Sequence, residues 1–348
     1  MNDLDSIRRR SSIADPDPIP ARETLRETPA ARARDDVDFP RETPERVAYL
    51  ANLRAQATTA TIAGGDPIKA KQERIDALRK EFAGPYTVNG EVVEAPVMFR
   101  MARSTPSNAK EVAKNAAVLD EAARACGTSG DAIRSGQAPA KTVVAVTQWL
   151  IDRGHLRSTS DSLPTRIRTM QWRFGVGADC ASYTRQAFVR ANKCSMQSVG
   201  LNPYSESFRG LDSNPHFQKV GITDVRAGDV ITLDPAPPES IGHNLIVCDH
   251  TLMSDAQKAE CVHRYGSSAR AFFSGAGPFH AIEVDSSWGA GDLGDTEVGG
   301  ERRETWFYDE GRKLWGCVGT SKPPTITWSP SQPTAWDSYH GAYRARGT

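Results

Sequence analysis

The pair Asp179-Cys180 opens a stretch in which Cys180, Tyr183, Thr184, Ala187 and Ala191 recur on one face at helical spacing. Asp179 is a good N-cap, so the thiol is expected on the first turn of a helix packed into the core. A thiol there meets the positive end of the helix dipole and backbone N–H groups with no intrahelical partner. The dipole favours thiolate, and the same N–H groups can donate to an oxyanion. This is the chemistry of nucleophilic attack on a carbonyl. It needs a base that later protonates the leaving amine, and imidazole suits that task near neutral pH. His243 follows Gly242 and heads the apolar run 244–248, which reads as a strand. From a strand start its ring is expected to reach the helix N-terminus. Asp179 and Tyr183 are candidate substrate contacts, and Trp172 is read equally as a groove wall or a core residue.

The elements that must position these residues lie in the second part of the chain. Hydrophobic residues make up 39% of the sequence and concentrate beyond about residue 68. Residues 1–66 are rich in Arg, Asp, Glu, Pro and Thr, and Arg26-Glu27-Thr28-Pro29 recurs as Arg41-Glu42-Thr43-Pro44. Such a segment cannot offset its ordering entropy and is expected to be disordered. It reads as a solvated tail or as a delivery signal for a secretion machinery. Helices are expected at 68–82, 106–127 and 139–153. A hairpin is expected about Asn89-Gly90. This region, 67–160, offers no evident catalytic residue. Gln148-Trp149-Leu150 with Arg153-Gly154-His155-Leu156 faintly resembles one repeat of a peptidoglycan-binding module, the alternative being core packing. Strands are expected at 230–233, 244–248 and 281–284, with an insertion at about 249–278. The Pro-, Ser- and Trp-rich stretch 322–348 is expected to be irregular and wrapped on the surface.

Charged residues form 25% of the chain and cancel to a net charge of zero. A nucleic-acid or anionic-membrane binder would normally carry a basic excess. No apolar run approaches the roughly 20 residues that a bilayer span needs, and none follows Arg8, Arg9 and Arg10 as a Sec signal would require. Six cysteines occur without a CxxC pair, so they are expected to be mostly reduced and to hold no zinc. No cofactor-binding motif occurs.

Asp179-Cys180 opening a helix, then Arg226-Ala227-Gly228-Asp229-Val230, then Gly242-His243 heading an apolar strand, resembles the NlpC-type cysteine peptidases over about residues 172–288. The resemblance implies an α+β, papain-like catalytic domain at 161–321, with Cys180 as nucleophile and His243 as base. It further implies that Asp285, in the following strand, orients the imidazole, with Glu283 on the same face as the substitute. The implied substrate is a peptide of bacterial peptidoglycan. Where that family usually has Ser-Gly after the Asp-Cys pair, this chain has Ala181-Ser182, which bears on the substrate subclass. The implied setting is a protein made in the bacterial cytoplasm without a Sec signal and exported or injected as an antibacterial effector, with an immunity protein as a further partner. A transglutaminase-like arrangement using His280 and Asp295 is the alternative enzyme. An inactive binding module on the same scaffold is the alternative without catalysis.

Overall fold

The structure, a computed structural model, describes residues 66–99, 108–202, 208, 210–235, 242–288, 299–319, 324–334 and 337–348. The tail expected to be disordered lies outside the described residues, as does the start of the helix expected from residue 106. Residues 61–348 form one compact unit.

Helix α1 (Pro67–Phe82) begins where the Asp66 carboxylate accepts the Ile68 N–H at 2.9 Å, and Pro67 occupies its first turn. It buries Ile75, Leu78 and Phe82, whereas Ile68 stays 38% exposed and lies off the expected stripe. Strands β1 (Tyr86–Val88) and β2 (Glu91–Val93) pair about Asn89 and Gly90, at φ 52° and 85°. Two successive positive φ angles make a turn whose twist matches the strands, as the Asn-Gly pair predicts. Four helices follow: α2 (Ala109–Ala125), α3 (Gly130–Arg134), α4 (Ala140–Asp152) and α5 (Leu163–Phe174). Of these, α2 and α4 match the helices expected from the sequence, whereas α3 and α5 were not expected. Yet α5 carries ordinary signals: Ser162 caps it, Pro164 lies in its first turn, and Gly175 ends it at φ 68°.

Helix α6 (Cys180–Asn192) packs on an eight-stranded antiparallel sheet. Its strands are β3 (Phe217–Val220), β4 (Val230–Pro235), β5 (His243–Leu252), β6 (Phe279–Trp288), β7 (Gly300–Asp309), β8 (Leu314–Val318), β9 (Ile326–Ser329) and β10 (Asp337–Ala345). Their order is β3-β10-β4-β5-β6-β7-β8-β9. The chain is therefore α+β, as expected. The expectation of an irregular C-terminal stretch is corrected: β10 is an interior strand between β3 and β4. Arg344 of β10 clamps the buried Asp229 carboxylate with Nε at 2.9 Å and Nη2 at 2.8 Å. That carboxylate also accepts the Arg226 N–H at 2.9 Å, so one residue closes the turn into β4 and ties it to the last strand. The expected insertion is helix α7 (Asp255–Phe272), which joins extended forms of β5 and β6.

The two faces of the sheet feed separate cores. Ile246 and Cys248 join the helices, packing with Tyr183, Ala187 and Phe188. Leu245, Val247, Val284, Trp288, Trp306 and Trp315 fill the other core. That second core is enclosed by the sheet's own curvature: Trp315 on β8 and Tyr339 on β10 lie 5.0 Å apart between ring centroids, although β4, β5, β6 and β7 stand between them in strand order. No helix among the described residues is long and apolar enough to cross a membrane.

Candidate functional site at the N-terminus of helix α6

Cys180 is the first residue of α6 and is 6% exposed. The turn leading into it is pinned from three sides. The Ala178 N–H donates to Met98 O at 3.0 Å and the Asp179 N–H to Gly136 O at 3.1 Å. Ser287 Oγ donates to Ala178 O at 2.7 Å. Asp179 caps the helix as expected, its carboxylate accepting the Ser182 N–H at 2.5 Å and a bond from Gln137 Nε2. Burial pushes the Asp179 carboxyl up to about 7, against the pull of the Ser182 N–H, Arg185 and Gln137.

Three contacts fix the direction of α6 over the sheet. Ala178 meets Ser287, Thr184 Oγ1 donates to Asn244 O at 2.9 Å, and Tyr183 Oη donates to Asp285 at 3.5 Å. The helix therefore runs against the direction of β6, and its first turn lies beside the Asn244–Ser287 end of the sheet. Among the described residues, the fold brings the Gln137 and Ser287 side chains and the Asn244 backbone carbonyl to the start of this helix. None carried a signal in the sequence, because each arrives there through tertiary packing.

The expected partnership of Cys180 with His243 is not formed. His243 does open β5, paired with Leu233 of β4. Side chains alternate along a strand, so His243 shares a face with Leu245 and Val247, away from α6. Its ring stacks on Trp288 at 4.2 Å and 22°. Among the described residues no hydrogen bond joins the Cys180 thiol to this ring. His243 Nε2 and Trp288 Nε1 are both buried without a hydrogen-bond partner. The residue as a whole is half-buried, but its ring is enclosed, and it is the ring that titrates. Burial first, then the Arg302 charge, pull its pKa down to about 3, so the imidazole is neutral through the physiological range.

Asp285 does not orient His243 either. It stands opposite Ile246, on the α6 face of β6. There Arg303 of β7 donates to it through Nε and Nη2, each at 2.8 Å. Arg303 also bonds Asp76 of α1 at 2.7 Å and approaches Glu283, the expected substitute, at 3.8 Å. Asp76 thereby anchors α1 to the sheet through the guanidinium, and Tyr183 of α6 joins the cluster at Asp285. Tyr183 is fully buried against Phe82, and Trp172 is 5% exposed at the end of α5, with its carbonyl accepting from Asn108. Tyr183, with no exposed surface, offers nothing to a substrate.

The alternative base, His280, lies at the other end of β6, seven residues from Ser287, or about 23 Å at strand rise. It bonds His250 at 3.0 Å and Glu310 at 3.3 Å. Its expected partner Asp295 lies outside the described residues. None of the six cysteines is in a disulfide. Comparison with family models, with curated proteins and with solved structures finds no match.

Proposed function

We propose that this protein is a cysteine hydrolase of amide bonds, with Cys180 as its nucleophile and peptides of bacterial peptidoglycan as its substrates. The observation that carries the reading is a buried thiol at the first position of a core helix that packs on an antiparallel sheet. The helix dipole there favours thiolate. Attack of Sγ on the amide carbon would place an oxyanion at the first-turn N–H groups. Collapse would expel the amine and leave a thioester, which water hydrolyses to return the thiol. The substrate class and the papain-like relationship rest on the order of Asp179-Cys180, the Gly228-Asp229 turn and Gly242-His243.

The proton needs a carrier. In this geometry the titrating group next to Cys180 along the chain is Asp179, with its carboxyl at about 7. His243 takes the role if the first residue of β5 turns its ring from Trp288 to the α6 side when substrate binds. Loss of hydrolysis in His243→Ala with retention in Asp179→Asn assigns the base to His243, and the reverse assigns it to Asp179. The same proposal extends to the setting: an exported antibacterial effector, delivered through residues 1–66 by a secretion machinery and met by an immunity protein.

One observation favours a second reading. A neutral His243 locked on the opposite face suits a binding module on a hydrolase scaffold without catalysis. A thiol-reactive probe separates the two. Fast labelling confined to Cys180 at neutral pH supports the hydrolase, and uniformly slow labelling of all six cysteines supports the module.

A further inference from the structure

Away from Cys180, the outer face of α5 carries a feature that the hydrolase reading does not use. Arg166, Thr169, Met170 and Arg173 follow one another at positions i, i+3, i+4 and i+7, so they share a face. Arg157, Thr159 and Asp161 complete a pocket of about 100 Å³ over that face. At ~30 Å³ of liquid volume per water, this is room for a small polyatomic group.

The lining is one-sided in charge, with three guanidinium groups and one carboxylate. Arg166 Nε donates to Arg157 O at 2.8 Å, which holds the 157–161 segment against the helix. Thr159 Oγ1 donates to Asp161 at 2.9 Å, taking up part of the single carboxylate. Arg173 Nε is buried without a hydrogen-bond partner. The Glu111 carboxylate forms an ion pair with it at 3.7 Å, too long for a hydrogen bond. Burial first, and then the Arg157 charge, outweigh the pull of the Glu111 carboxylate and make the Arg173 cation harder to hold than in water. A buried donor and two like charges turned toward each other are costly as they stand. A compact anion with several acceptor oxygens would satisfy the donor and screen the charges at once, and the planar fork of arginine matches such oxygens two at a time.

We propose that this pocket binds an oxyanion of the phosphate class through Arg157, Arg166 and Arg173. The proposal is independent of the hydrolase reading, because α5 and the 157–161 segment hold none of the residues assigned to the reaction. The occupant is free phosphate or a phosphate monoester carried on a larger molecule.

Calorimetric titration of the full chain at low ionic strength tests this, with inorganic phosphate and glycerol phosphate as probes and sodium chloride at matched ionic strength as the control. Saturable one-site binding is expected, weakened at least tenfold in both Arg157→Gln and Arg173→Gln. Each variant is also to show the wild-type unfolding temperature without ligand, and Thr159→Ala serves as a milder second variant on the same pocket. Binding of both probes alike identifies free phosphate as sufficient. Tenfold preference for the monoester identifies a carried phosphate, and either result supports the site. Heats equal to those of sodium chloride, or binding unchanged in both arginine variants, would overturn it.

Discussion

Replacing Asp285 by asparagine keeps the side chain's shape and removes its charge. Asp285 is fully buried, and both of its oxygens accept from Arg303 at 2.8 Å. Arg303 is itself mostly enclosed, so the substitution leaves a buried guanidinium short of a counter-charge. Breaking a buried pair from one side costs about 3–5 kcal/mol. Asp76 at 2.7 Å and Glu283 at 3.8 Å remain to Arg303, which sets the expected loss at the lower end, ~3 kcal/mol. For a unit of this size that is a fall of about 6–12 °C in Tm. Urea unfolding followed by tryptophan fluorescence measures it, with circular dichroism to check that the transition is single. Labelling of Cys180 by a thiol probe in native buffer should continue at the wild-type rate. A stability change below about 1 kcal/mol, together with lost hydrolysis, would refute the anchoring role and restore Asp285 as an orienting residue.

Three further outcomes follow from the same geometry. The folded pKa of His243 is about 3, below its ordinary value of 6.5, so protons favour the unfolded chain between those values. This contribution is present above pH 6.5 and is lost as pH falls; from pH 6.5 to 5 the wild type should lose about 2 kcal/mol more stability than His243→Gln, as read by urea unfolding at each pH. Asp179 has the opposite sign: its folded pKa of about 7 lies above the ordinary 3.8, so stability falls as pH rises toward 7. Asparagine caps equally well, so Asp179→Asn should gain stability over wild type at pH 8 and lose that advantage near pH 4, measured by thermal unfolding. Ending the chain at residue 336 removes β10 from between β3 and β4 and strands the buried Asp229, so the truncated protein should fail to fold cooperatively, and a wild-type melting curve would contradict that.

What the sequence disclosed was local. The Asp179 cap, the helix that it opens, the Asn89-Gly90 turn and the starts of β4 and β5 all depend on neighbours within a few residues, and all stand where they were expected. The helix α5 also carries local signals, in Ser162, Pro164 and Gly175. Two kinds of information were not in the local pattern. One is strand order: the Pro- and Trp-rich composition after residue 322 concealed β10, whose place inside the sheet depends on Arg344 meeting Asp229 more than a hundred residues away. The other is facing. A strand-start histidine is identified by its glycine and its apolar run, but the side to which it points is set by register with β4 and β6. Here Leu233 and Trp288 draw His243 into the second core. Asp285 shows the same limit, since its partner Arg303 lies on a strand that the sequence did not announce.

The direct test of Cys180 as a nucleophile is mass spectrometry of purified peptidoglycan fragments after digestion with wild-type protein and with Cys180→Ala. The expected result is a defined set of amide cleavage products, each pair together one water heavier than its parent, from the wild type alone, with both proteins showing the same melting temperature. Equal products from Cys180→Ala, or intact fragments with both proteins, would contradict it.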